Sequence, residues 1–199
     1  MQTGAENVKK EKRKDREDRP SCIVFAAALL ACALLAGCSA AKEDNLSPGL
    51  ALVEQMDYEG ALTCFEAAAL NKEDMRQVYR GQGLAYMGMT DYENAAASFE
   101  KALAQSSPRP DAMDYDINYY LATAYYRNGQ ADKAIQVYQA ITDLKPGEKT
   151  AWYLKGTMEL EQGSTDAAKA DFDKAVWAAP NDYDIRIDIF CSCSKYGQD

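Results

Sequence analysis

The chain has 199 residues, with 22 Lys and Arg against 31 Asp and Glu, no histidine, and a formal net charge of −9. That balance excludes a nucleic-acid or anionic-headgroup surface, because phosphates are repelled by it. The lack of histidine removes the commonest general base and metal ligand. In chain order, the first element is a basic head holding Lys9, Lys10, Lys12, Arg13, Lys14, Arg16 and Arg19. These bases are interleaved with Glu6, Glu11, Asp15, Glu17 and Asp18. Residues 22–37 then carry no charge and end on the small residues Ala36 and Gly37, just before Cys38. That run is shorter than the roughly 18 residues read as a bilayer span. A basic region, an apolar run and a small-residue cleavage site are the parts of a secretory signal.

Leu35-Ala36-Gly37-Cys38 resembles the lipobox of bacterial lipoproteins. The resemblance implies diacylglyceryl transfer to the Cys38 sulfur, cleavage before Cys38 and acylation of the new amine. Residues 1–37 are then a removed signal peptide and residues 38–46 a lipidated tether. The expected location is the extracytoplasmic side of a cell membrane, in a periplasm or at a cell surface. The alternative is an uncleaved anchor in which Cys38 is a small apolar residue. The long mixed head fits either a later start codon or a cytoplasmic extension. Residues 1–37 carry seven of the bases and five of the acids, so cleavage would leave 15 bases, 26 acids and a net charge of −11. Such a chain would be held at a membrane by its acyl groups, at about 0.8 kcal/mol per buried methylene, and not by a basic patch. Beyond Cys38 only Cys64, Cys191 and Cys193 remain, which implies no disulfide framework.

The rest of the chain is self-similar. Ala61, Phe65 and Ala68 recur as Ala95, Phe99 and Ala102, then as Ala134, Tyr138 and Ile141, and again as Ala168, Phe172 and Ala175. Spacings of four and three place each trio on one helix face. Twelve residues before each trio stand Gly49, Gly83, Ala122 and Gly156, followed three residues later by Leu52, Tyr86, Tyr125 and Glu159. Tyr79 and Trp152 lie one turn earlier, Gly129 and Gly163 mark turns between helices, and Pro146 and Pro180 follow the second helices. These residues resemble the tetratricopeptide repeat over residues 47–196. The resemblance implies an all-α, right-handed superhelical solenoid of about four helix-turn-helix repeats, near 47–72, 73–107, 111–146 and 147–181, with an extra C-terminal helix at 182–196. A lone hairpin has too little core, and stacking about three or more supplies it.

Departures from the repeat carry their own expectations. Ser47 before Pro48 reads as the cap of a late, short first helix. The second and third trios are separated by five extra residues, which fall in Ser106-Ser107-Pro108-Arg109-Pro110-Asp111. Two prolines there forbid a helix, and the segment reads as a tolerated loop or, less simply, a binding element. Phe190 and Cys193 are expected to point inward from the last helix. That would mark a truncated array, whereas a polar outer face would mark a cap.

No phosphate-binding glycine loop, nucleophile elbow or metal-ligand pair is present, so no enzymatic activity, cofactor or metal is expected. Cys191 and Cys193 lie two apart on a helix, hence on different faces, and read as buried free thiols. Glu159, Glu161 and Asp166 read as a solvated helix flank. The resemblance implies a concave face lined by the first helices: Arg80, Leu84 and Met87, then Tyr119, Thr123, Tyr126 and Arg127, then Tyr153, Thr157 and Leu160. The carboxylate clamp of the family's chaperone-binding members is missing, since its sites hold Leu46, Leu50, Tyr120, Thr150 and Leu154. A Tyr-rich groove fits an extended or helical peptide; otherwise these tyrosines pack between helices. The expected function is a membrane-anchored, non-catalytic scaffold for a protein or peptide partner, of open oligomeric state. The alternatives are an accessory subunit of a cell-envelope enzyme and a fragment of a longer array.

Overall fold

The computed structural model describes residues 44–196. The signal segment 1–37, the lipobox with Cys38, and the tether up to residue 43 lie outside the described residues. Those residues form nine α-helices and no strand: α1 (Leu46–Glu54), α2 (Tyr58–Leu70), α3 (Met75–Gly88), α4 (Tyr92–Leu103), α5 (Ala112–Arg127), α6 (Ala131–Leu144), α7 (Lys149–Glu161), α8 (Thr165–Ala178) and α9 (Tyr183–Lys195). They pack as four antiparallel pairs with α9 left over as a first helix without a partner, and each helix touches only near neighbours along the chain.

All twelve residues of the recurring trios are buried. Each second helix drives one aromatic ring against the small residue of its own first helix. A Cβ placed on Gly83 would lie 2.5 Å from the Phe99 ring, and one on Gly156 would lie 2.8 Å from the Phe172 ring. Glycine is required there because the ring occupies the space of a side chain. Burial of each such aromatic contributes about 1.5–3 kcal/mol.

The turn within each pair is the same device four times. Asp57 N–H donates to Leu52 O, Asp91 to Tyr86 O, Gln130 to Tyr125 O and Ser164 to Glu159 O, at 2.8–2.9 Å. This bond closes the C-terminal end of the first helix and needs a left-handed residue just before the donor. Gly129 (φ 73°) and Gly163 (φ 78°) supply it in the third and fourth pairs. Met56 (φ 64°) and Thr90 (φ 60°) hold it in the first two, where the missing glycine made the turn harder to read.

The first helix starts earlier than Ser47. Its cap is Asn45, and the partner that starts it comes from beyond α2. Glu73 accepts from the Asn45 and Leu46 backbone N–H groups, both at 3.1 Å, while Asp44 accepts from Ser47 N–H. Two carboxylates on the first turn satisfy its unpaired donors and suit the positive end of the helix. Pro48 then sits within that turn, where its missing N–H costs nothing.

The inserted loop before α5 is fastened at both ends. Asp111 caps α5 and accepts from Met113 and Asp114 N–H, and Asp114 accepts in return from Asp111 N–H. Ser106 donates to Asp114, and Arg76 of α3 reaches Asp111 at 2.5 Å. The bond from Arg76 holds the Asp111 carboxyl below the usual carboxylate range.

At the other end, Phe190 does not point inward. It is 70% exposed, and Cys191 is also exposed. Cys193 is half-buried, packed against Leu160, Ala168 and Phe172. The physical reason is register. Phe190 stands 34 residues after Gly156, on the side where a first helix meets its own second helix, and α9 has none.

Candidate peptide-binding face

The first helices α3, α5, α7 and α9 lie in sequence along one side of the array. α1 meets α3, α3 meets α5, and α7 meets α9. Helices α5 and α7 do not approach closely; α7 packs on α6 instead, and polar side chains add bonds around the step. Tyr126 of α5 donates to Glu161 of α7, Gln162 donates to Asp132 of α6 at 2.7 Å, and Tyr196 from the end of α9 donates to the second oxygen of Glu161.

The residues read from the sequence as a groove fall along this side, and most are half-buried. Arg80 makes two bonds to Asp116 Oδ2, at 2.8 and 2.5 Å, and lies 5.9 Å above the Tyr120 ring. Leu84 and Met87 pack partly against the central core. The Tyr119 ring meets Tyr138 at 5.9 Å between centroids, and the Tyr153 ring meets Phe172 at 6.2 Å. Thr123 and Thr157 donate to the carbonyls of Tyr119 and Tyr153. Tyr153 and Ser192 share a 3.1 Å hydroxyl bond. Arg127 is exposed and Leu160 is buried. The Tyr119 and Tyr153 rings therefore brace the second helices α6 and α8, Tyr126 reaches Glu161 of α7, and all three side chains are half-buried.

Burial is the first cause that holds the Tyr119 hydroxyl, and that of neighbouring Tyr125, in the neutral form. Burial, with Glu148 nearby, pushes the Tyr119 hydroxyl well above the usual range. Burial and the bond to Glu100 push Tyr125 up to about 12. Burial also pushes the Glu161 carboxyl up, but the Tyr126 and Tyr196 hydroxyls and Lys195 outweigh it and hold it below the ordinary value.

Glu159 is not part of a solvated flank. Together with Lys155 and Asp171 it is buried between α7 and α8. Lys155 Nζ lies 2.6 Å from Asp171 and 3.4 Å from Glu159, and Lys174 reaches Asp171 at 3.0 Å. Trp152 closes the group, with Lys174 4.1 Å from its ring and the indole N–H donating to Pro146 O. Asp166 is exposed and Glu161 half-buried, as the bonds above require. Charges at alternate turns of a helix read as solvent-facing. The signal that could have placed Glu159 inside was its register with Tyr86 and Tyr125.

This cluster has a pH signature. Burial first, and then Asp171 beside it, raise the Glu159 pKa; Lys155 opposes them. A raised carboxylate pKa means that the folded state holds the proton more tightly, so stability falls as pH rises from the ordinary value of 4.5 through the raised one. Glu159→Gln should remove that fall. Thermal melts across pH 4–8 should show the variant gaining on the parent as pH rises, then running parallel. A constant difference at every pH would contradict the assignment.

Among the described residues no group of three or more His, Cys, Asp or Glu could hold a metal ion, and no helix is long and apolar enough to cross a membrane. Outside the row, a cavity of about 230 Å³ lies under the inserted loop, lined among others by Leu103, Pro110, Tyr115 and Ile141.

Comparison with known proteins agrees with this architecture. The family model for the tetratricopeptide repeat matches residues 48–110, 80–149 and 119–183. The structure of YrrB, described as a TPR protein with an unusual peptide-binding site, superposes with a TM-score of 0.60 at 20% identity, over 79% of each chain. MamA superposes with a TM-score of 0.61 at 19% identity, over 75% of this chain and 85% of its own. A peroxisomal targeting signal receptor of Candida albicans is 27% identical over 94 residues, which is 47% of this chain and 16% of that receptor.

Proposed function

Given that the chain belongs to the tetratricopeptide repeat family, we propose that it captures a peptide segment of a partner protein along its row of first helices, and does so as a lipid-anchored scaffold. The observation that carries the binding reading is the line of half-buried apolar and aromatic side chains from Leu84 and Met87 through Tyr119 and Tyr126 to Tyr153. Tyrosine offers large contact area with few rotatable bonds. Arg127, exposed at the end of α5, adds a charge that could meet a partner carboxylate. The reading is non-catalytic: the face offers contact area and hydrogen bonds, and any chemistry would belong to the partner. The anchoring reading rests on the sequence around Leu35-Ala36-Gly37-Cys38 and places the array on the extracytoplasmic side of a membrane.

Changing Tyr119 and Tyr126 together to Ala should weaken partner capture by at least ~2 kcal/mol, the scale of interface hot spots. Because both rings brace their surroundings, circular dichroism must show the variant folded. Arg127→Glu provides a second variant with no packing to lose. Undiminished capture by both, from solubilised membranes, would move the binding site off this face. For the anchor, Cys38→Ala should abolish incorporation of an alkyne fatty acid and leave the precursor uncleaved. Equal label on parent and variant would exclude acylation at Cys38.

A further inference from the structure

The outer face of α9 carries a stripe that nothing in the array covers. Helix α9 buries Ile185 and Ser192 and partly buries Ile189 and Cys193. On the opposite side Tyr183, Ile187 and Phe190 are 73%, 58% and 70% exposed. Phe190 occupies the register of Gly49, Gly83, Ala122 and Gly156. At Gly49, Gly83 and Gly156 a single added Cβ would already come within 2.5–2.8 Å of the ring on the paired second helix. A second helix seated as in those pairs therefore cannot lie against Phe190. The face needs an occupant that accepts a projecting phenyl group.

We propose that this occupant is a second copy of the chain, bound by two-fold pairing of antiparallel α9 helices. Two observations select it. First, Tyr183, Ile187, Phe190 and Ser194 follow one another by four, three and four residues, the spacing of a seam between two packed helices. With the two-fold axis between Ile187 and Phe190, the phenyl group of each copy meets the isoleucine of the other, and Tyr183 meets the small Ser194. An isologous interface must be self-complementary in this way. Second, α9 carries Asp184 and Asp188 against Arg186 and Lys195, so it is neutral within a chain of net charge −9. Two copies can meet here without the repulsion their acidic surfaces would otherwise impose, and a strongly basic partner gains nothing from choosing it. The three exposed side chains offer roughly 400 Å² per copy, about half of the ~800 Å² that each partner gives to a standard interface. The pairing is accordingly weak and reversible.

The test places a photoreactive benzoylphenylalanine at Tyr183 in the full chain in membranes, followed by irradiation and mass spectrometry of the linked peptides. The expected product has twice the chain mass, with the label joined to residues 190–195 of another copy. Phe190→Asp, at an exposed position that leaves the core intact, should lower its yield at least tenfold while circular dichroism stays unchanged. Labels joined to residues 1–43 of the same chain, or to a different protein, would overturn the proposal. So would the absence of a double-mass product, or one that persists in Phe190→Asp.

Discussion

Lys155→Met should destabilise the fourth repeat by about 3–5 kcal/mol, the cost of removing one partner from a buried charge group. Lys155 lies between two carboxylates that are themselves buried, Asp171 at 2.6 Å and Glu159 at 3.4 Å. Methionine fills most of the volume but leaves those acids facing each other across a dry interface. Lys174 reaches only Asp171, from a half-exposed position. The third repeat shows what an apolar version looks like, because Leu121, Tyr125 and Val137 hold the registers of Lys155, Glu159 and Asp171. Transplanting all three should be neutral or stabilising, as replacement of whole buried ionic groups often is. Both tryptophans, Trp152 and Trp177, belong to this repeat, so urea unfolding followed by fluorescence reads it selectively. A single Lys155→Met variant as stable as the parent would show that the group is solvated.

Phe172→Ala should cost a similar ~3–5 kcal/mol by a different route, the cavity left when a large core side chain is truncated. Phe172 is 5% exposed, its ring pressed on Gly156 and beside Leu160 and Tyr153. Glycine has no side chain to move into the void, so little relaxation can offset the loss. Since the repeats act as a chain of nearest-neighbour couplings, the damage should stay local. Hydrogen exchange should show protection lost across α7, α8 and α9 and retained in α1 to α4. Uniform loss along the array would contradict that independence.

The trios, their small partners and the 34-residue period were legible because side-chain volume dictates them: an aromatic ring needs a glycine or alanine opposite, and that pairing repeats. The cap of α1 was not legible, since its acceptor Glu73 lies 28 residues from Asn45. Lys155 and Glu159 were hidden because charges four apart on a helix look the same whether they face water or one another. Phe190 was misjudged for a related reason: register gives the direction of a side chain, but not whether a neighbour exists there. The candidate groove was legible as a list of positions. What the sequence left open was how much of each tyrosine is spent on packing, because an amphipathic ring suits a half-buried site as well as a binding edge.

The first helices are not all joined to the array in the same way, and α9 is held most lightly. Helices α5 and α7 do not approach closely; α7 is carried on α6, with Ala151 and Met158 in one apolar core with Leu121 and Tyr138, and Tyr126 reaches Glu161 across the remaining space. Under tension applied at the C-terminal end the array would give way first at α9, which rests on α7 and α8 through a few side chains, before the third and fourth repeats part. Beyond that point hairpins would peel off singly, each releasing roughly 110 Å of chain. A load applied at that end would thus be felt first as the loss of the Tyr153–Ser192 and Tyr196–Glu161 bonds, at the edge of the row where a peptide would lie.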